Sequence, residues 1–325
     1  SNAITVNVNT YIPFYNMYLV GDFNGWDAAN APELISDRTP GRWGKVFFSY
    51  VRMSAGNKFL FLHKRGAWET KHGATGGSGE VYDIGDQNTG ADFQVAATGI
   101  YRITIDLDAK KAYVQLKQVG VVGNMQGWNP ASPIYGGYLR KDHFLIITPS
   151  NNDGFKFHDG PEWNNSTPDK ARWYGPAGNG LLTYDGSGSD IIASGNPRSR
   201  VIWNGTDPQQ LKYEVSPANE MRVVGDGIDE VGVGEWSPGT SPQMTYSGNG
   251  VWTITIKLKA DKSIKFLAGN DWGAFDYEDA GTGAVVVGTP RAIKWDGGPD
   301  FKTPAVAGTY TITLNEHTGT VTISN

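Results

Sequence analysis

The sequence predicts an all-β protein built from three tandem β-sandwiches, and three observations predict it. A phrase recurs at intervals of about a hundred residues, roughly one small domain each. Strand-like alternation of apolar and polar residues appears throughout, and no segment sustains a 3.6-residue apolar period over three turns. Turn formers are abundant, with 43 glycines and 17 prolines in 325 residues. Many short strands at turn-punctuated spacing favour a sandwich in each unit.

The phrase opens each unit. Met17 to Asp27 reads M-Y-L-V-G-D-F-N-G-W-D, and Val119 to Pro130 reads V-G-V-V-G-N-M-Q-G-W-N-P. Met221 opens M-R-V-V-G-D, loops out, and closes on Trp236-Ser-Pro. Each copy sets a strand before a glycine turn and a tryptophan just after it. Its V-G-D portion mostly ends the strand and turns the chain. A hairpin closes the first unit: residues 100–107 alternate, the turn Asp108-Ala-Lys-Lys follows, and residues 112–116 return. The third unit closes in the same way with 309–314, a turn, and 320–324. The second ends less regularly, over 200–206 and 210–215. Residues 251–258 add an alternating strand to the third unit. The boundaries fall just after each closing hairpin, giving domains 1–117, 118–217 and 218–325, joined by very short linkers as a semi-rigid string.

Midway through each unit, a strand carrying Lys-Phe leads into a loop carrying Trp. The copies are Lys58-Phe to Trp68, Lys156-Phe to Trp163, and Lys265-Phe to Trp272. Alternation puts Phe59 and Phe61, Phe155 and Phe157, and Ile264 and Phe266 on the core face. Lys58, Lys156 and Lys265 then point outward. One outward lysine is ordinarily a solvated surface charge, but three beside loop tryptophans point to a shared role. The tryptophans pair as Trp26 with Trp68, Trp128 with Trp163, and Trp236 with Trp272. Exposed indole pairs can stack on the apolar faces of sugar rings while a nearby polar group bonds the hydroxyls. Large apolar residues in Gly/Pro/Asn-rich loops need such a reason. Indoles that plug the ends of each core are the competing explanation. Trp252, Trp43 and Trp203 have the better claim to be core.

Composition narrows the function classes. A net charge of −5 is unlike the basic footprint of a nucleic-acid binder. With no cysteine, neither a disulfide framework nor a thiolate metal site can form. No apolar run reaches the ~18 residues of a membrane-spanning helix. A glycosidase needs two carboxylates about 5–10 Å apart across a cleft. The candidates, Asp159 with Glu162 and the group Asp276, Glu278 and Asp279, each occur in one unit only. His63, His72, His143, His158 and His317 show no metal or triad spacing. Calcium binding is the alternative for the acidic run Asn270-Asp271, Asp276 and Glu278-Asp279, but the run lacks the EF-hand order and reads rather as a solvated loop. The expectation is a non-enzyme with no cofactor and no metal site.

Together these elements resemble the SusE/SusF family of surface glycan-binding lipoproteins. The matching residues are Leu19-Val-Gly-Asp to Gly25-Trp26, Val121-Val-Gly-Asn to Gly127-Trp128, and Val223-Val-Gly-Asp to Glu235-Trp236, with the Lys-Phe to Trp elements. Closing strands follow at Gly99-Ile-Tyr-Arg-Ile-Thr and Gly308-Thr-Tyr-Thr-Ile-Thr. The resemblance covers essentially all of the chain and implies immunoglobulin-like carbohydrate-binding modules that hold starch or another α-glucan through two aromatics and a basic residue. Carried over, the sites are Trp26, Lys58 and Trp68; Trp128, Lys156 and Trp163; and Trp236, Lys265 and Trp272. It further implies maltooligosaccharide or starch as partner, other surface glycan-uptake proteins as neighbours, and an outer-membrane, cell-surface location. A lipidated N-terminal cysteine and the family's usual first domain would lie upstream of Ser1-Asn2-Ala3, which looks like a cloning scar. Two departures stand out: residues 227–234 are inserted before Trp236, and the second unit lacks the clean closing Tyr strand. A structural or adhesive array of the same repeats without glycan binding is the alternative.

Overall fold

The computed structural model describes residues 16–295 and 297–325; Ser1-Asn2-Ala3 lies outside them. The chain is all-β, with antiparallel pairing between its named strands. The helical elements among the described residues are four short 3₁₀ turns. It divides into two compact units. One comprises residues 1–117 with 166–170 and 207–209, and the other 118–165, 171–206 and 210–325.

In the first unit, Tyr18–Gly21 pairs with Lys58–Leu62, which also pairs with Lys71–His72 and Phe93–Gln94. A second sheet is built around Val46–Met53, Gly99–Asp106 and Lys111–Leu116. Its core holds Leu19, Phe59, Phe61, Phe93, Ile103 and Ile105, all fully buried. The closing hairpin and the inward face of the Lys58 strand match the alternation read from the sequence.

The second unit holds two more sets of strands on the same plan. In the first set, Gly120–Gly123 pairs with Asp153–His158, and the other sheet runs through His143–Pro149, Arg198–Asn204 and Lys212–Pro217. In the second set, Arg222–Gly225 pairs with Ser263–Leu267, and Val251–Leu258 pairs with Gly308–Asn315, which pairs with Thr320–Ser324. Here Asp276–Asp279 and Arg291–Trp295 bridge the two sheets into one continuous ribbon. Trp203 and Trp252 are buried as expected. Trp43 is not core: it lies in the turn after Ser36 and is 53 % exposed, with the Arg38 guanidinium 5.8 Å over its ring.

The recurring glycine has a steric cause. A Cβ on Gly21, Gly123 or Gly225 would sit 2.3, 2.4 or 2.1 Å from the carbonyl oxygen of Lys58, Gly154 or Ser263 on the paired strand. No side chain fits such an approach. The V-G-D element therefore fixes how the first strand of each repeat leaves its partner.

Candidate functional site

The tryptophan that follows the glycine turn is held in an unusual backbone. Trp26, Trp128 and Trp236 have φ of 60°, 56° and 52°, a left-handed conformation that bulky residues adopt only when their surroundings impose it. In the first two repeats the constraint is visible. The Trp26 amide donates to the Gly21 carbonyl and the Trp128 amide to the Gly123 carbonyl, both at 2.9 Å. Each indole N–H then donates back to the residue after that glycine, at 2.7 Å to Asp22 Oδ1 and 2.5 Å to Asn124 Oδ1. Asp22 also accepts the Lys58 amide through Oδ2 at 2.7 Å. The bond from the Lys58 amide and then that from the Trp26 indole hold its carboxyl below the usual range.

This lock aims each indole at the second, loop-borne one. Trp26 and Trp68 lie with ring centroids 6.3 Å apart and planes tilted 31°; Trp128 and Trp163 lie at 6.3 Å and 40°. Trp68 and Trp163 are 43 % and 41 % exposed. The Trp68 loop is tied to the Trp26 segment: the Gly66 amide donates to Ala28 O at 2.7 Å and Arg65 Nε to Ala31 O at 2.9 Å. Trp163 Nε1 donates to Trp128 O at 3.3 Å. In the third repeat the two indoles are not brought together, and no ring contact joins Trp236 to Trp272 among the described residues. Asp226 still accepts the amide of its partner strand, from Ser263 at 2.8 Å. The insertion 227–234 puts Trp236 ten residues past that aspartate instead of four, beyond the reach of the same lock.

Strand register separates the three lysines. Val122 faces Lys156 and Val224 faces Lys265, but Val20 faces Leu60. Lys58 lies two residues earlier, exposed at the strand's start. The Trp26–Trp68 pair opens a cleft of about 460 Å³ whose floor is Leu60 and whose basic residue is Lys71. Glu69, Asn88 and Asp92 complete its rim. None of the Lys71, Glu69 or Asp92 side chains makes a hydrogen bond or ion pair among the described residues, so all three are open to a ligand. No motif marks Lys71: it enters through pairing with Leu62.

The position equivalent to Lys71 carries Trp173 in the second repeat and Asp276 in the third, facing His158 and Leu267. Trp173 stacks on His158 at 5.7 Å and meets Trp163 edge-on at 5.4 Å, so this site is an aromatic cluster. Lys156 is engaged by the carbonyls of Gly188 and Ser189, both at 3.1 Å. Lys265 is clamped between Asp276 at 2.5 Å and Glu278 at 2.7 Å, with its ammonium 5.9 Å over the Trp272 ring. Burial opposes its charge, but bonds to the two carboxylates outweigh this and hold Lys265 above the usual lysine range. Trp272 is the most exposed of the loop tryptophans at 54 %.

The acidic groups weighed as catalytic or calcium-binding are largely committed. Asp276 and Glu278 hold Lys265, Asp279 pairs with Arg291 at 2.6 Å, and buried Asp159 accepts the Arg172 amide at 2.7 Å. Among the described residues no cluster of three or more His, Cys, Asp or Glu is arranged to hold a metal ion. No described helix is long and apolar enough to cross a membrane.

No protein-family model and no curated protein sequence matches the chain. Among solved structures it is similar to SusF from Bacteroides thetaiotaomicron. The identity is 18 %, over 95 % of this chain and 72 % of that one, with a TM-score of 0.32. A similarity that loose assigns no activity, so the functional reading rests on the residues themselves.

Proposed function

We propose that this protein binds polysaccharide without catalysis, through aromatic sites carried on three repeats bounded at 1–117, 118–217 and 218–325. The observation that carries this reading is the recurrence of one indole pair, at the same 6.3 Å centroid separation, in two repeats. Exposed, pre-positioned indoles stack on pyranose faces with little ordering cost. Uncommitted Lys71, Glu69 and Asp92 then supply donors and acceptors for hydroxyls. Starch or another α-glucan is the expected ligand, held at the outer-membrane surface by a lipid anchor for separate enzymes and a transporter.

Solvent competes for every hydroxyl, so single-site affinity is expected to be modest, on the order of 10 µM to 1 mM. Several sites on one polymer would raise avidity by ~10²–10⁴. Affinity electrophoresis against a polysaccharide panel tests the reading. Retardation by one glycan class, lost when Trp68, Trp163 and Trp272 are all changed to Ala, is the expected result. Unretarded migration across the whole panel would leave a structural or adhesive role.

A further inference from the structure

The outward face of one sheet in the second repeat is apolar, which a solitary sandwich would have to expose. His143, Leu145 and Ile147 line one strand of it, and Arg200 and Ile202 the next; all are buried. The corresponding strands of the third repeat carry Thr253, Thr255, Thr311 and Thr313, none of them buried. What covers the apolar face comes from the third repeat, within the same compact unit.

Two groups of contacts in that cover reach the chain around Trp272. Glu316, 1 % exposed, accepts from Arg200 Nη2 at 2.8 Å and Nε at 3.1 Å, from Trp252 Nε1 at 2.7 Å and from the Tyr277 hydroxyl at 2.8 Å. Phe275 packs against the cluster that includes Leu145, Ile147 and Ile202 and lies under the Arg200 guanidinium, 4.9 Å from ring centre to Cζ. It also stacks on Trp295 at 5.3 Å and 11°, which meets His143 edge-on at 5.1 Å.

These anchors fall on the chain that forms the third site. Phe275 follows Trp272 by three residues, and its carbonyl accepts the Ala268 amide at 2.7 Å, closing the Trp272 loop. Tyr277 lies between Asp276 and Glu278, the two clamps on Lys265. We propose that the Trp272 site is held in its binding geometry by the second repeat, with Arg200 as the positioning residue, so that residues 118–325 form one binding unit. A buried charged group with several satisfied bonds fixes one arrangement of its partners. Here the partners are the loop end and the strand that present Trp272 and Lys265.

The proposal rests on the glycan-binding reading, and the test separates the two. The full chain carries Trp26→Ala, Trp68→Ala, Trp128→Ala and Trp163→Ala, leaving the third site. Arg200→Met with Glu316→Met replaces the buried pair by apolar groups of similar size, avoiding an unpaired charge; Phe275→Leu is the second variant. A fluorine NMR signal from 5-fluorotryptophan at Trp272 reports its environment without glycan. Soluble maltooligosaccharide and native-gel retention report binding.

Expected for both variants are a shifted or broadened Trp272 signal and at least fivefold weaker binding at the third site. The same changes in a chain keeping only Trp128 and Trp163 leave the second site's retention within twofold. An unchanged Trp272 signal in both variants overturns the proposal. If the Trp272 signal responds but the parent third-site chain binds no glycan on the panel, positioning stands and the glycan reading of that site fails.

Discussion

The Trp26–Trp68 site and the Trp272 site use the same strand framework with opposite economies of charge. In the first, an aspartate at the strand end locks one indole against another, and the cleft's lysine and carboxylates stay uncommitted. In the third, the equivalent aspartate has lost its indole, and lysine and carboxylates satisfy one another under a lone tryptophan. Polar groups already paired must break those bonds before they can bond a sugar, whereas unpaired ones exchange only water. The first site is therefore built to contribute hydrogen bonds on binding, and the third to contribute mainly stacking.

Acid applies the largest expected load, because half-buried His63 in the first repeat and buried His143 in the second, edge-on to Trp295, both resist protonation. Burial, then Arg140, holds His143 down to about 4; burial, then His72, holds His63 to about 4. Folded, these rings stay neutral where the unfolded chain binds a proton. Stability is thus complete above about pH 6.5 and falls as pH drops toward 4. For buried His143 the loss approaches about 3 kcal/mol. Urea midpoints at pH 7.5 and 4.5 check this: the midpoint should be lower in acid, and His143→Phe should reduce the difference. Identical midpoints would contradict it.

The next largest effect separates the sites directly. Trp68→Ala should weaken the first site by about 2 kcal/mol, roughly 30-fold. Titration calorimetry on chains keeping one site each can compare it with Trp272→Ala, which removes the third site's stacking surface and should cost at least as much; a smaller loss for Trp272→Ala would contradict the division between the two sites. The lock comes next. Asp22→Ala removes the acceptor for the Trp26 indole and should cost about fivefold at the first site. Asp226→Ala should leave the third site's affinity unchanged, and equal losses would mean that the aspartate acts only on the fold.

The smallest effect decides which lysine matters. Lys71→Ala should weaken the first site about threefold, and Lys58→Ala less than twofold. The reverse order in the same titration would restore Lys58 to the site.

Alternation and turn chemistry are local properties, so much was legible without coordinates. The closing hairpins, the inward Phe59 and Phe61, the buried Trp203 and Trp252 and the all-β class follow from period-two patterning. The tryptophan pairing in the first two repeats was legible as recurrence, because the same turn spacing yields the same geometry. Trp43 misled because its strand-like neighbours say nothing of a turn that carries it outward.

Sequence by itself determined the strand-forming segments and which of their faces point inward, since these depend on residues a few positions apart. Only tertiary structure decided which side chains meet. Register put Leu60, not Lys58, opposite Val20 and brought Lys71 into the cleft through a strand nine residues on. Packing joined Phe275 and Glu316 to Arg200 across more than seventy residues. Those pairings depend on hydrogen-bond register and buried surface between distant segments, and no short-range pattern encodes them.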